Sequence, residues 1–221
     1  MKLSEQAWNK SANIIEAIQT HAFNQELATG ELGLDKFSYY IEQDSIYLQD
    51  FIKAQAMIAA KIQQEYVSCF LKYANETCVA EQEIVHHFFE KIYNLKKTGK
   101  RTPALLSYTS YLLRTGAIEP VEVAVAAVLP CFWVYQIIGL SIVKNTDEKN
   151  PYFKWIETYS SDEFAKVVQE IITIFDSLAL QASEDIKAKM LQAFYTSVCL
   201  EWHFWNDAYN KIAFDEIMVV K

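Results

Sequence analysis

Glycine and proline are scarce in this chain, with five and four in 221 residues. Folds of strands and tight turns draw heavily on both, so the scarcity argues for helices. It also leaves no Gly-rich phosphate loop and no G-x-S-x-G elbow. No Pro/Gly/Ser-rich linker divides the sequence, and residues 1–221 read as one domain. Basic residues are short too: 20 Lys and Arg against 28 Asp and Glu give a net charge of −8 and a pI near 5.1. Phosphate backbones are bound by clustered cations, and the one basic cluster, Lys96 to Arg101, reads as a solvated loop, so nucleic acid is excluded as a partner. The four cysteines (Cys69, Cys78, Cys131, Cys199) show neither paired nor C-x-x-C spacing, and the start MKLSEQAWNK has no apolar signal segment. Free thiols in a reducing cytoplasm are expected.

What the chain does have is apolar and aromatic bulk, 52% hydrophobic and 14% aromatic, with thirteen Tyr and five Trp. That suffices for one large core. A buried phenol or indole needs a partner for its OH or NH, so this many either sit at interfaces or line a cavity. The most apolar stretch is Pro120 to Val143, PVEVAVAAVLPCFWVYQIIGLSIV, which has no polar face. At a rise of about 1.5 Å per residue it is just long enough to cross a bilayer. Pro130, Cys131, Tyr135 and Gln136 cluster at its middle, however, and the other segments are two-faced. It is therefore read as the central helix of an all-helical core, with no membrane as partner. Cys131, beside the kink expected at Pro130 and with Tyr135 one turn later, is placed to face an internal pocket.

Trp8, Ile14, Ile15 and Ile18 predict a first helix over 4–20. His21 and Phe23 open a short helix that Gly30 ends, and Asp35 starts a long one whose face reads Phe37, Tyr40, Asp44, Tyr47, Phe51. Helix is expected to continue over 53–74 and, after a break at Asn75, over 76–95. The second of these holds Glu83-x-x-His86, half of the carboxylate and histidine pattern of bundle di-iron sites. Such sites use the pair twice with two more glutamates, and no second copy exists, so surface or capping roles fit Glu83 and His87 better. A basic loop over 96–103 leads into helix 104–115, which carries Tyr108 and Tyr111 and has Gly116 as its stop. Beyond the central helix, Asn150-Pro151 opens a short helix through Trp155, broken at Tyr159-Ser160-Ser161. Ser160 with Glu163 reads as a capping box for helix 162–180. The last helix, 183–209, sets Glu201 in a row with Phe194, Val198, Phe204 and Trp205. About eight to ten helices with short connections predict an antiparallel all-α bundle.

Two carboxylates, Asp44 and Glu201, thus fall on apolar faces, where an acid is costly unless something uses it. Asp44 equally fits a cap or an ion pair, and a free cysteine is more often packing than catalyst. Together with Cys131 and the phenols of Tyr47, Tyr108, Tyr135 and Tyr159, the two acids suit attack on an electron-poor ring. The thiol would be the nucleophile, one acid would position or activate it, and the other would exchange a proton with a ring nitrogen.

Five segments in order, FSYYIEQDSIYLQDF (37–51), SYTSYLL (107–113), AAVLPCFWVY (126–135), YFKWIETYSS (152–161) and EWHFWNDAY (201–209), resemble the TenA, or thiaminase II, family over nearly the whole chain. The resemblance implies a haem oxygenase-like all-α fold, usually a homotetramer, without metal or organic cofactor. It also implies hydrolysis of aminopyrimidines in thiamin salvage, releasing ammonia or, from thiamin, the thiazole. Carried over residue by residue, it puts the nucleophile on Cys131, the acid/base on Glu201 and the group that holds the amino substituent on Asp44. Tyr47, Tyr108, Tyr135 and Tyr159 match its supporting tyrosines and Phe204 the ring that packs on the pyrimidine, while His86 borders the pocket. Leu200 and Asn206 depart from the pattern, which has an aromatic and an Asp there. Two other readings stay open: a haem- or metal-binding protein of the same shape with His21 as axial ligand, and a non-catalytic regulator that binds a pyrimidine. Retention of Cys131 with both acids speaks against the regulator.

Overall fold

A helix that is apolar all round is stable in water only when other helices surround it, and the fold is built on that requirement. The computed structural model describes residues 1–79, 88, 89, 91, 98–144 and 146–215. Among the described residues there are nine helices and no strand: α1 (Leu3–Gln19), α2 (Ala22–Thr29), α3 (Leu34–Ala59), α4 (Gln64–Glu76), α5 (Pro103–Ile118), α6 (Val121–Val143), α7 (Phe153–Ser160), α8 (Asp162–Gln181) and α9 (Glu184–Asn210). Helix α6 is the apolar stretch, and it continues unbroken through Pro130. Helices α9, α7 and α8 pack most extensively against it, with α5, α3 and α2 completing the surround. Of its most apolar window 78% is buried inside the protein, which accounts for the missing polar face without a bilayer. One core cluster draws side chains from all nine helices.

Local chemistry sets the helix ends. His21 caps α2, its Nδ1 accepting the N–H of Phe23 at 3.1 Å, and Gly30 closes the helix in the left-handed region at φ 78°. The C-terminal carbonyls of Leu27 and Ala28 accept from the Asn150 amide at 2.9 and 3.1 Å, which ties α2 to the start of the α7 segment. Thr102 caps α5, accepting from Leu105 N–H at 2.9 Å, with Pro103 at the first helical position where its missing N–H costs nothing.

Four ends differ from the sequence reading. Asn75 does not break a helix, since α4 runs through it to Glu76. Helix is not continuous over 53–74. Helix α3 stops at Ala59, and Lys61 in the gap donates to the C-terminal carbonyls of α5, at 2.9 Å to Gly116 and 2.6 Å to Glu119. Gly116 does not stop α5, which runs to Ile118. It marks a close approach, since a Cβ there would lie 3.3 Å from Met57 Sδ on α3. Ser160 with Glu163 does not cap α8. Helix α7 extends to Ser160, whose Oγ donates to the carbonyl of Ile156, and Ser161 is the cap, accepting from Phe164 N–H at 3.2 Å.

The tightest contact places part of the site. A Cβ on Gly139 would meet the backbone of Tyr159 and Ser160 at 2.7 to 2.9 Å, so α6 and α7 touch main chain to main chain. That contact lets the rings of Tyr135 and Tyr159 approach to 4.9 Å. Helix propensity alone favours Gly139→Ala by about 0.5–1 kcal/mol. Overpacking against backbone that cannot rotate away costs about 1–3 kcal/mol. The variant should therefore be less stable than wild type in urea titration; a gain in stability would show that α6 and α7 are not in backbone contact.

Candidate active site

Helical spacing puts Asp44, Tyr47, Leu48 and Phe51 on one face of α3, and this face meets α6 at Cys131, Phe132 and Tyr135. Tyr159 enters from α7, Tyr108 from α5, and Glu201 and Phe204 from α9. Buried polar contacts fix how these helices sit. Gln43, next to Asp44, donates to Lys100 O at 2.9 Å and accepts from Thr102 N–H at 3.1 Å. Asp207 on α9 accepts from Ala104 N–H at 2.9 Å. The first turn of α5 is thus held by α3 on one side and α9 on the other, one turn before Tyr108. Glu42 secures the chain just upstream, taking Thr98 N–H, Thr98 Oγ1 and Gly99 N–H at 2.9, 2.8 and 2.7 Å.

At the centre, Cys131 Sγ lies 2.5 Å from Tyr47 Oη and 3.0 Å from Tyr108 Oη, and Tyr108 donates to Glu201 Oε1 at 2.9 Å. A phenol has one hydrogen, so directions follow. Tyr108 gives its hydrogen to Glu201 and must accept from the thiol, which leaves Tyr47 as donor to sulfur. The row Tyr47, Cys131, Tyr108, Glu201 links the thiol to the carboxyl group by hydrogen bonds through Tyr108.

Burial dominates the electrostatics. It raises the Cys131 thiol well above its usual range; the nearby Glu201 charge adds to this, and the hydrogen bonds with Tyr108 and Tyr47 oppose it. The Tyr47 and Tyr108 phenols are raised by burial and by the neighbouring thiol and carboxyl, so both remain donors. Glu201 is pushed up to about 8, first by burial and further by the Asp44 charge, against the lowering effect of the Tyr108 and Cys131 bonds. At neutral pH the resting site therefore holds a neutral thiol and a neutral carboxylic acid. A protonated Glu201 can accept from Tyr108 on one oxygen and donate from the other.

The structure brings together Cys131, Glu201, Asp44, Tyr47, Tyr108, Tyr135 and Tyr159, all buried. Phe204 packs on Tyr47, with ring centres 5.8 Å apart. His86, with Glu83 and His87, lies outside the described residues. Leu48, Phe51 and Phe132 also line the pocket and were not singled out as site residues, although Leu48 and Phe51 share the Asp44 face and Phe132 follows Cys131. The free space left among them is about 10 Å³, the scale of one water molecule, so a ring can enter only if a wall moves. Of the two departures from the expected pattern, Leu200 packs on the core, and Asn206 hydrogen-bonds with His21 and Asn210. His21 itself is committed to the α2 cap, with Trp202 and Tyr209 edge-on to its ring, and this does not fit an axial ligand.

A wholly helical bundle arranged around one buried apolar helix defines a fold class, and known structures share that fold. A TenA homologue from Pyrococcus furiosus superimposes with a TM-score of 0.89 at 23% identity, over 94% of this chain and all of the other. A domain from Shewanella denitrificans described as haem oxygenase-like gives 0.71 at 16% identity, over 94% and 92%. The fold is thus all-α and haem oxygenase-like. Residues 7–211 match the TENA/THI-4/PQQC family, and the chain belongs to that family. Among sequence relatives, the aminopyrimidine aminohydrolase of Bacillus subtilis is 36% identical over 96% of this chain and 91% of its own. That of Helicobacter pylori is 32% identical over 95% and 100%.

A carboxyl raised from 4.5 to about 8 binds its proton more tightly in the folded than in the unfolded protein. Folded-state stability therefore falls as pH climbs through that interval, and the loss is complete above it. Glu201→Gln cannot titrate. Its melting temperature relative to wild type should climb between about pH 4.5 and 8 and then level off. Parallel melting curves across that range would mean Glu201 is not held protonated.

Proposed function

We propose that this protein hydrolyses aminopyrimidines that carry a leaving group on a ring methylene, in thiamin salvage, with Cys131 as nucleophile. The observation that carries the reading is the hydrogen-bonded row from Tyr47 through Cys131 and Tyr108 to Glu201, in a closed pocket shared with Asp44. The names of the Bacillus and Helicobacter relatives support the substrate class. A relative in Corynebacterium glutamicum named as a thiamine biosynthesis multifunctional protein supports the pathway.

In this reading Asp44 accepts from the exocyclic amino group, Phe204 packs beside the ring, and Tyr135 and Tyr159 complete the enclosure. The Cys131 sulfur bonds to the ring carbon next to the one bearing the methylene. As it does so, Glu201 gives its proton to a ring nitrogen and regains the thiol proton through Tyr108, so the resting charges are conserved. The electron pair gained by the ring then expels the leaving group from the methylene, forming an exocyclic double bond. Water adds to that carbon, sulfur departs with its bonding pair and takes back a proton, and the aromatic ring returns. The net change is substitution of the leaving group by hydroxyl, and every proton moved belongs to water or to these side chains. The reading includes one domain acting in the cytoplasm, without cofactor.

Cys131→Ser keeps the size of the side chain but supplies a far weaker nucleophile. It should melt as wild type does and lose turnover by roughly a thousandfold or more on both the aminomethyl pyrimidine and thiamin. A variant that kept most of the wild-type rate would rule out the covalent route.

The reading also includes a homotetramer. Leu180, Ile118 and Leu71 are 86%, 69% and 54% exposed, apolar surface that a symmetric assembly would cover. Light scattering should give about four times the 25.5 kDa chain mass; a monomer throughout micromolar dilution would refute the assembly.

A further inference from the structure

The catalytic pocket is too small for any ring, and the wall it shares with a larger space is Phe132. That ring lies 5.3 Å from Phe51, which lines the inner pocket, and 6.1 and 6.4 Å from Tyr73 and Phe164, which line a second cavity of about 440 Å³ between α4 and α8. The reaction described above makes no use of this second space. Its chemistry is nevertheless specific. The buried Tyr73 donates to Glu170 Oε2 at 2.5 Å, and the Cys69 thiol donates to Oε1 at 3.5 Å. Both oxygens of Glu170 are thereby oriented by neutral donors, and no cation among the described residues pairs with it. Burial first, then the bond to Glu170, raise the Tyr73 phenol far above its usual range, so it stays a donor. Lys72 on the same rim is paired with Glu76 at 3.8 Å; Lys166 reaches the rim as well, and against these two stand Glu76, Glu163 and Glu170. An oriented carboxylate with no ion-pair partner among the described residues, beside three aromatic side chains, favours a flat organic cation by charge and by cation–π contact.

We propose that this cavity is the subsite for a heteroaromatic cation carried on the methylene of the pyrimidine, seated among Tyr73, Phe132 and Phe164 with its charge toward Glu170. The proposal rests on the hydrolase reading and narrows its substrate class. A substrate that leaves as a ring cation's neutral base, such as thiamin, spans both cavities with Phe132 displaced, whereas one that releases ammonia occupies only the inner pocket. When the methylene–nitrogen bond breaks, its electron pair passes to the ring nitrogen and the cation becomes a neutral heterocycle. Attraction to Glu170 is then lost, and the leaving group is released toward solvent. Glu170 therefore acts on the bound substrate more than on the transition state, and its removal should appear in KM rather than in kcat.

The test pairs kinetics with binding. Steady-state rates of wild type and Glu170→Gln are compared on thiamin and on the aminomethyl pyrimidine, and a benzylthiazolium salt is titrated into both proteins by calorimetry. Glu170→Gln should raise KM for thiamin about fivefold, move the ratio of the two kcat/KM values by the same factor, and weaken benzylthiazolium binding to match. Equal effects on both substrates, a fall in kcat alone, or benzylthiazolium binding that is absent or unchanged in the variant would overturn the subsite. If wild type turned over neither pyrimidine yet bound benzylthiazolium in a Glu170-dependent way, the hydrolase reading would fail and the cation site would stand.

Discussion

Burial sets two requirements against each other for a thiol that is to lose its proton, as the proposed reaction asks of Cys131, and the arrangement around it answers both. An apolar surround excludes water but makes a thiolate costly, which is why the resting thiol is held neutral. The neutral form is useful only if its proton has somewhere to go. Tyr108 supplies the path, because its single hydrogen is already committed to Glu201 and its lone pair is turned to sulfur. Remove either contact and the pocket is left with polar groups in a core that cannot satisfy them.

That dependence reaches outward into the fold. Helix α6 can carry Cys131 at its middle because other helices enclose it. Tyr108 can reach both sulfur and carboxyl only if α5 is correctly placed between α3 and α9. Gln43 and Asp207 do this from the two helices that hold the acids. Burial raises the Asp207 carboxyl above its usual range, and the hydrogen bond from Ala104 N–H opposes that rise. The node has no chemistry of its own; it orients the residues that do.

Phe132 shows how one side chain can divide two environments. On one side is the small, largely buried space around Cys131, where low polarity strengthens every electrostatic contact; on the other is a larger space with exposed charges. In the reaction and subsite proposed above, a substrate that reaches across that ring meets both.

The sequence alone determined what depends on periodicity and composition. The nine described helices fall close to where apolar spacing put them, because a stripe every three to four residues can be buried only as a helix. Asp44 and Glu201 stood out because an acid in an apolar row is expensive, and Cys131 because it interrupts a run that is apolar on every side. Five motifs in register, by their resemblance to the family, then implied roles for these residues. What the sequence could not decide are facts about neighbours distant in the chain. Lys61 ends α3 by serving α5, Gly116 fits against Met57 instead of stopping a helix, and Ser161 rather than Ser160 caps α8 because α7 runs one residue further. Phe132 as a wall and Glu170 as an oriented charge are of the same kind. Each is an ordinary residue until packing sets it against a partner, and no local pattern encodes the partner.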